Sequence, residues 1–184
     1  MAKKFINQKS KESNKKQLKL SKKQGDAYLA AVKEMTSSEA DSGKVKVAGD
    51  YLIGYAVEQA EGLYTWEKGK LVWENPKDEN VHIEVAVADK TDGRFLPGLD
   101  VEVTLDNDSG QRVGKHKQPY LWHPWLYHYG RNWKIPEYSG LYSLCIEVAP
   151  PPYHRHDKVH GKRHAKPVKV VFKDIKIETG RKIS

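Results

Sequence analysis

The 184-residue sequence has one cysteine, two methionines and no long apolar run. A single cysteine, Cys145, cannot form an intrachain disulfide, so cysteine usage does not indicate a redox compartment. No apolar run approaches the roughly 20 residues of a membrane-spanning helix. The basic N-terminus lacks the apolar segment of a secretory signal, so we expect a soluble, cytoplasmic protein.

The sequence also lacks the usual signatures of nucleophilic and phosphate chemistry. It has no Gly-x-Ser-x-Gly motif and no glycine-rich loop that could hold a phosphate. Cys145 takes the alternate-face position in the strand pattern of Leu144 and Ile146, and no neighbour in sequence would ionise its thiol. We therefore expect no enzyme activity. The alternative is an enzyme that uses a bound metal for redox or hydrolytic work, which requires an open coordination position.

The net charge of +8 is confined to the N-terminal residues. Residues 1–24 contain nine lysines and one acidic residue, Glu12, so the remaining chain has no net formal charge. A neutral domain lacks the basic field of a dedicated nucleic-acid binder, and we expect no specific nucleic-acid partner. With few apolar residues to offset the entropy of ordering, residues 1–24 are predicted to be a disordered Lys-rich tail.

The remaining sequence predicts an all-β fold with one short N-terminal helix. Residues 25–43 should form that helix, capped by Asp26, followed by a linker. Residues 44–180 should form a domain of short strands with regular turns, which is typical of an antiparallel β-sandwich. In the last strand the alternating apolar residues fall at even positions up to Phe172 and at odd positions from Ile175 onward. One extra residue near Lys173 would keep them all on one face, so we predict a β-bulge there. The predicted strands are 51–57, 63–66, 70–73, 80–89, 99–106, 111–117, 142–148 and 168–177.

The strand at residues 80–89 has the clearest candidate metal ligands. Valine and isoleucine alternate there with His82, Glu84 and two alanines, so the two polar side chains should project from the same face. At a backbone separation of roughly 7 Å, an imidazole and a carboxylate can reach one ion. An ordinary solvated strand face would give the same pattern.

Two further segments contain histidines. Residues 120–133 include six Trp or Tyr residues together with His123 and His128, and Pro124 favours a long loop over a continuous strand. This loop could be a lid over metal ligands or a stacking platform for sugars or bases. It could also simply pack its aromatic side chains into the open end of a β-sandwich. Residues 150–167 carry four histidines, including His156, among Lys and Arg, with no structural zinc spacing. One or two of these histidines are plausible ligands.

Taken together, three of these motifs resemble a known family. The segment 81–87, then Trp122-His123-Pro124 leading into His128-Tyr129-Gly130, then Pro150-Pro151 before Arg155-His156-Asp157 follow the order of the periplasmic high-affinity iron-transport proteins. Those proteins are the soluble partners of bacterial ferrous-iron permeases and include a treponemal lipoprotein. The resemblance extends from about residue 45 to 179.

The resemblance implies an immunoglobulin-like sandwich, usually a homodimer, with a copper or iron site. Carried across, its ligands are His82, Glu84, His128 and His156. The family also uses a methionine shortly before His-Tyr-Gly, but this sequence has Leu121 near that position, and His123 is the nearest residue able to replace it. Without a thioether, imidazoles and a carboxylate suit Fe(II), Cu(II) or Zn(II) better than Cu(I).

The sequence therefore predicts a metal-binding β-sandwich that binds and delivers iron or copper, with a ferrous-iron permease as a candidate partner. Trp122, Trp125 and Tyr129 would limit the access of water to the ion. Because imidazoles must be neutral to bind, affinity should fall below about pH 6. The alternative is an aromatic-lined module that binds a carbohydrate or another small ligand without metal.

Overall fold

A computed structural model describes residues 11–182, which form one α-helix and thirteen strands. A short π-helix, Met35–Glu39, follows the α-helix directly. The elements are α1 (Lys15–Glu34), β1 (Ser42–Ala48), β2 (Tyr51–Glu58), β3 (Ala60–Glu61), β4 (Leu63–Glu67), β5 (Lys70–Glu74), β6 (Val81–Asp89), β7 (Val101–Asn107), β8 (Arg112–Lys117), β9 (Tyr120–Trp122), β10 (Tyr127–Trp133), β11 (Tyr142–Val148), β12 (Val168–Ile175) and β13 (Arg181–Lys182).

Two antiparallel sheets form the sandwich. One has the strand order β1-β2-β6-β10-β9 and the other the order β12-β11-β7-β8. The core between them comes from alternate residues of each strand, as in β11, where every second residue is fully buried. This confirms the predicted antiparallel β-sandwich with a single α-helix. Among residues 11–182, no helix has the length and apolarity needed to cross a bilayer.

The predicted bulge in the last long strand is confirmed. Leu144 of β11 pairs with Phe172, whereas Tyr142, two residues earlier, pairs with Ile175, three residues later. The extra residue lies at Lys173–Asp174, and Asp174 has a φ of 58°. The bulge allows Phe172 and Ile175 both to enter the core, each 1% exposed.

The helix begins much earlier than the sequence predicted. It starts at Lys15, where Asn14 and Gln17 form a reciprocal capping box, and not at an Asp26 cap. The prediction of a disordered tail is therefore wrong for residues 15–24, whereas residues 1–10 lie outside the described residues. Lysine is a good helix former, and most residues in this half of α1 are exposed. The division into a short helix and linker at 25–43 and a metal-binding domain at 44–180 stays a prediction.

Helix α1 covers the outer face of the first sheet. Val32 and Met35 pack there on Ala56 of β2, Ala86 of β6 and Leu126, which together form a second apolar cluster. Gly25 lies so close to the turn after β6 that a Cβ would be 1.7 Å from the Asp92 carbonyl oxygen. All nine residues of β6 are buried, with alternate residues in the core between the sheets and Ala86 under the helix. The face of β6 that carries His82 is therefore not a solvated one.

The aromatic segment 120–133 is a β-hairpin and not the predicted long loop. Strands β9 and β10 pair in antiparallel register, and Pro124 lies in the turn, which is closed by His123 N–H donating to the Leu126 carbonyl (3.2 Å). The proline thus interrupts pairing only at the turn, where no ladder hydrogen bond is needed. The hairpin sets β10 beside β6, so the two histidine-bearing strands are neighbours.

Candidate metal centre

Strands β6 and β10 bring His82, Glu84 and His128 together on the outer face of the first sheet. Their ligand atoms all lie within 4.8 Å of one another. His128 Nε2 is 3.2 Å from Glu84 Oε1, and His82 Nε2 is 3.8 Å from the same oxygen. Donor atoms about 2.1 Å from a tetrahedral ion lie roughly 3.4 Å apart. The His–Glu cluster, as we name these three residues, has the spacing of a metal site.

Asn132 orients the His82 ring. Its amide nitrogen donates to the Glu61 carbonyl (2.7 Å), which leaves the amide oxygen 2.8 Å from His82 Nδ1. An amide oxygen only accepts, so Nδ1 carries the proton and the Nε2 lone pair faces Glu84. This is the neutral tautomer that a metal ligand requires, held by a second hydrogen bond as in known metal sites.

Three buried imidazole nitrogens in the cluster lack partners. Among residues 11–182, His82 Nε2 and both nitrogens of His128 have no hydrogen bond of suitable geometry, although Glu84 Oε1 lies 3.2 Å from His128 Nε2. His82 is fully buried and His128 is 2% exposed. A buried polar atom without a partner costs about 1–3 kcal/mol, which binding of an ion would offset. The unpaired nitrogens are therefore better explained by ligation than by a structural role.

The apolar surroundings shift the protonation of all three residues. Burial, with the neighbouring His82 and His123, lowers the pKa of His128 to about 3. Burial also lowers the pKa of His82, against the opposing effect of Glu61. The pKa of Glu84 rises to about 8, through burial first and then the nearby Glu58 and Glu61. At neutral pH both imidazoles are thus ready to bind, whereas Glu84 carries a proton that an ion must displace.

The cluster opens into a cavity of about 120 Å³, which we name the site cavity. This volume is enough for an ion and a few waters. Half-buried His123 borders it, with its ring centroid 6.3 Å from that of His128. The residues lining the site cavity are Glu58, Glu61, Glu84, His123, Trp125, Leu126, His128 and Lys182.

Several of these residues were not identified from the sequence. Glu61 lies 3.8 Å from His82, and Glu58 faces His82 across the β2–β6 ladder. No local pattern distinguishes these acidic residues, because only the pairing of separate strands brings them to the site. Asn132 could have been found, since it lies four residues after His128 and shares its strand face.

Other predicted site residues lie elsewhere in the chain. His156 is exposed and borders a different cavity, beside Asp89 at the far end of β6 from His82. Within one chain it is not brought to the cluster. Tyr129 points into the sandwich core, where its hydroxyl donates to the Leu96 carbonyl (2.7 Å), so it does not shield the ion. Trp122 is 69% exposed. Trp125 packs edge-on against His123, with 5.6 Å between the two ring centroids.

Gly130 provides room for the His82 ring. A Cβ at this position would lie 3.0 Å from His82 Nε2 and 3.2 Å from Leu121 Cδ1. We expect Gly130→Ala to displace the imidazole and weaken metal binding about tenfold or more, with a stability loss of about 1–3 kcal/mol. Gly54→Ala is the control, because the atoms nearest to its Cβ would belong to the side chains of Thr36, Val32 and Val45 and not to the cluster. Equal metal affinities of the two variants would contradict this role.

The pKa of Glu84 sets the expected pH dependence. Since its carboxyl is protonated below about pH 8, binding should release one proton there, and affinity should fall about tenfold per pH unit between pH 8 and 6. The sequence-based expectation of a fall only below pH 6 assumed ordinary imidazoles, but burial already keeps His128 neutral. Chelator competition at pH 6, 7, 8 and 9 measures the slope. Glu84→Gln should remove most of it, and an unchanged slope in this variant would refute the assignment.

Comparison with known proteins places the chain in a family. A family model described as Fe²⁺ transport protein matches residues 30–178. The chain belongs to this family. A sequence comparison with curated proteins found no match. The resemblance inferred from the three motifs is confirmed, and most of α1 precedes the part that matches the Fe²⁺ transport family.

Solved structures share the fold of this Fe²⁺ transport family member. FetP of uropathogenic E. coli strain F11, as isolated, is 21% identical and covers 73% of this chain and 93% of its own, with a TM-score of 0.59. A copper-bound variant of FetP is 22% identical, with coverages of 72% and 95% and a TM-score of 0.57. Copper-reconstituted P19 of Campylobacter jejuni is 19% identical, with coverages of 76% and 96% and a TM-score of 0.61.

Proposed function

We propose that this protein binds a divalent iron or copper ion at His82, Glu84 and His128 and delivers it as part of iron uptake. The observation that carries the proposal is the set of buried, unpartnered imidazole nitrogens facing one carboxylate within residues 11–182. Membership of the Fe²⁺ transport family and the copper-bound FetP variant support it. The family is one of transport, and we propose no catalytic step.

The donor set favours particular metals. Two imidazole nitrogens and a carboxylate suit Fe(II), Cu(II) and Zn(II), whereas Cu(I) prefers sulfur. Leu121 lies directly opposite His128 in the β9–β10 ladder, so a hydrocarbon occupies the place where the family resemblance implies a methionine. His123 is proposed as an additional ligand, because it borders the site cavity and its Nδ1 has no hydrogen-bond partner among the described residues.

A homodimer and a ferrous-iron permease are the proposed partners, both on the basis of the resemblance. A dimer would matter for the role of His156, because within one chain this residue borders a different cavity from the site cavity. We propose that it can act as a ligand only from the second copy. If so, His156→Ala should weaken metal binding only at concentrations where the wild type is dimeric, as measured by ultracentrifugation and titration together. A concentration-independent effect would contradict supply from a second copy.

The exposed aromatic residues of the β9–β10 hairpin favour a second candidate function. Trp122 and Trp125 are 69% and 44% exposed, and Tyr127 stacks on Tyr120 at 5.8 Å. Such surfaces bind sugar rings. The double variant His82→Ala/Glu84→Ala separates the functions, since carbohydrate binding would survive in it and metal binding would not.

Titration of metal-free protein with Fe(II), Cu(II) and Zn(II) against a chromophoric chelator tests the proposed function. We expect one tightly bound ion per chain and a rise in melting temperature that saturates at the same ratio. Binding that is too weak to compete with the chelator, or that leaves the melting temperature unchanged for all three ions, would refute it.

A further inference from the structure

The C-terminal strand places a lysine at the mouth of the proposed metal site. Strand β13 pairs in parallel with β3, with Lys182 opposite Glu61. Gly180 N–H donates to the Asn80 carbonyl (2.8 Å) and Arg181 Nε to the Glu79 carbonyl (2.8 Å), which anchors the segment. The strand lies beyond residue 178, where the match to the family ends. Lys182 is therefore a feature of this chain that family membership does not account for.

The ammonium group of Lys182 lies among carboxylates that face the cluster. Its Nζ is 2.5 Å from Glu58 Oε2, and it borders the site cavity together with Glu61 and Glu84. The side chain of Glu58 is 14% exposed, whereas that of Lys182 is 53% exposed. Among the described lining residues, Lys182 is the only Lys or Arg. The ammonium group of Lys182 thus lies beside the acidic residues that a metal ion would pass on its way to the cluster.

The two cations compete for the same negative charge. An ion bound by the cluster is attracted by Glu58 and Glu61, and Lys182 reduces that attraction by pairing with Glu58. Because the lysine is more than half exposed on a flexible stem, it can swing into solvent at small cost. Its pairing is screened by salt, as for any partly exposed ion pair.

We propose that Lys182 is a built-in counter-cation that holds the mouth of the site in the metal-free protein and sets how tightly the ion is bound. Resting on the proposed function, this inference adds a residue that weakens binding and thereby favours release. A carrier that must hand over its ion needs such a limit on affinity. Lys182 is thus an affinity-determining residue and not a ligand.

Substitution of Lys182 tests this role through metal affinity. Lys182→Met removes the charge and keeps the stem, whereas Lys182→Arg keeps the charge. Lys176→Met is the matched control, since Lys176 pairs with Glu178 (3.0 Å) outside the site cavity. Using Zn(II) as the redox-inert probe, we expect Lys182→Met to bind about tenfold more tightly at low salt, with a smaller gain at 0.5 M salt. The two other variants should stay within about twofold of the wild type.

The outcomes separate this inference from the proposed function. Equal or weaker Zn(II) binding by a folded Lys182→Met, with the wild type binding one ion, would overturn the role of Lys182 and leave the proposed function standing. If the wild type bound no ion but Lys182→Met did, the lysine would block the site, which supports the inference and refutes the function. Binding by neither protein would refute both. Circular dichroism of each variant verifies folding.

Discussion

The His128→Ala variant is expected to lose at least about 100-fold in affinity for Fe(II), Cu(II) and Zn(II), the largest effect that this structure predicts. His128 contributes one of three donors, and removal of even an outer partner of a ligand typically costs 10- to 100-fold. Chelator competition measures the loss. His154→Ala is the matched control because it removes an exposed imidazole outside the site cavity, and it should bind like the wild type.

The same position distinguishes ligation from packing. His128 is 2% exposed and its ring nitrogens are unpaired within the described chain, so His128→Leu should not lower the stability of the metal-free protein. His128→Ala leaves a cavity and should lose about 2 kcal/mol or more. Urea unfolding with and without metal measures both. A large loss of stability in His128→Leu without metal would show that the imidazole supports the fold, contrary to the proposed role.

The Leu121→Met variant is expected to gain about tenfold or more in Cu(I) affinity, with Zn(II) affinity changed by less than about threefold. Leu121 and His82 Nε2 both border the point where a Cβ of Gly130 would lie, so a methionine sulfur at position 121 can approach the cluster. Thioether sulfur is a soft donor and prefers Cu(I), whereas Zn(II) gains little from it. Leucine and methionine have similar volumes, so the fold should tolerate the exchange.

A core substitution controls for the change of side chain. Leu144→Met makes the same exchange at a fully buried position of β11, in the core between the sheets. Its Cu(I) affinity, measured against a chromophoric Cu(I) chelator under reducing conditions, should match that of the wild type. If Leu121→Met gains no more Cu(I) affinity than Leu144→Met does, the side chain at position 121 does not reach the metal ion.

The sequence predicted those parts of the site that depend on local pattern. Alternation along β6 was enough to place His82 and Glu84 on one face, and the parity change near Lys173 was enough to predict the bulge, because both follow from the two-residue period of a strand. The sandwich followed from the number and spacing of the strands.

The missed parts depend on contacts between distant segments. Glu84 lines the site cavity beside His123 and Leu126 of the β9–β10 hairpin, and the register of that hairpin cannot be read from β6 itself. The predicted helix was too short because the lysines in the first half of α1 give that segment the composition of a disordered tail. Asn132 was missed because residues 120–133 were interpreted as a loop. Only in a strand does the four-residue spacing place Asn132 and His128 on the same face.

One measurement tests the central claim most directly: anomalous diffraction at the metal absorption edge from crystals of the metal-loaded protein. We expect a single strong peak with His82 Nε2, His128 Nε2 and a Glu84 oxygen at about 2.0–2.2 Å, the usual ligand distances for imidazole and carboxylate. A peak that lies instead among the histidines of residues 150–167, with the His–Glu cluster metal-free, would contradict the account.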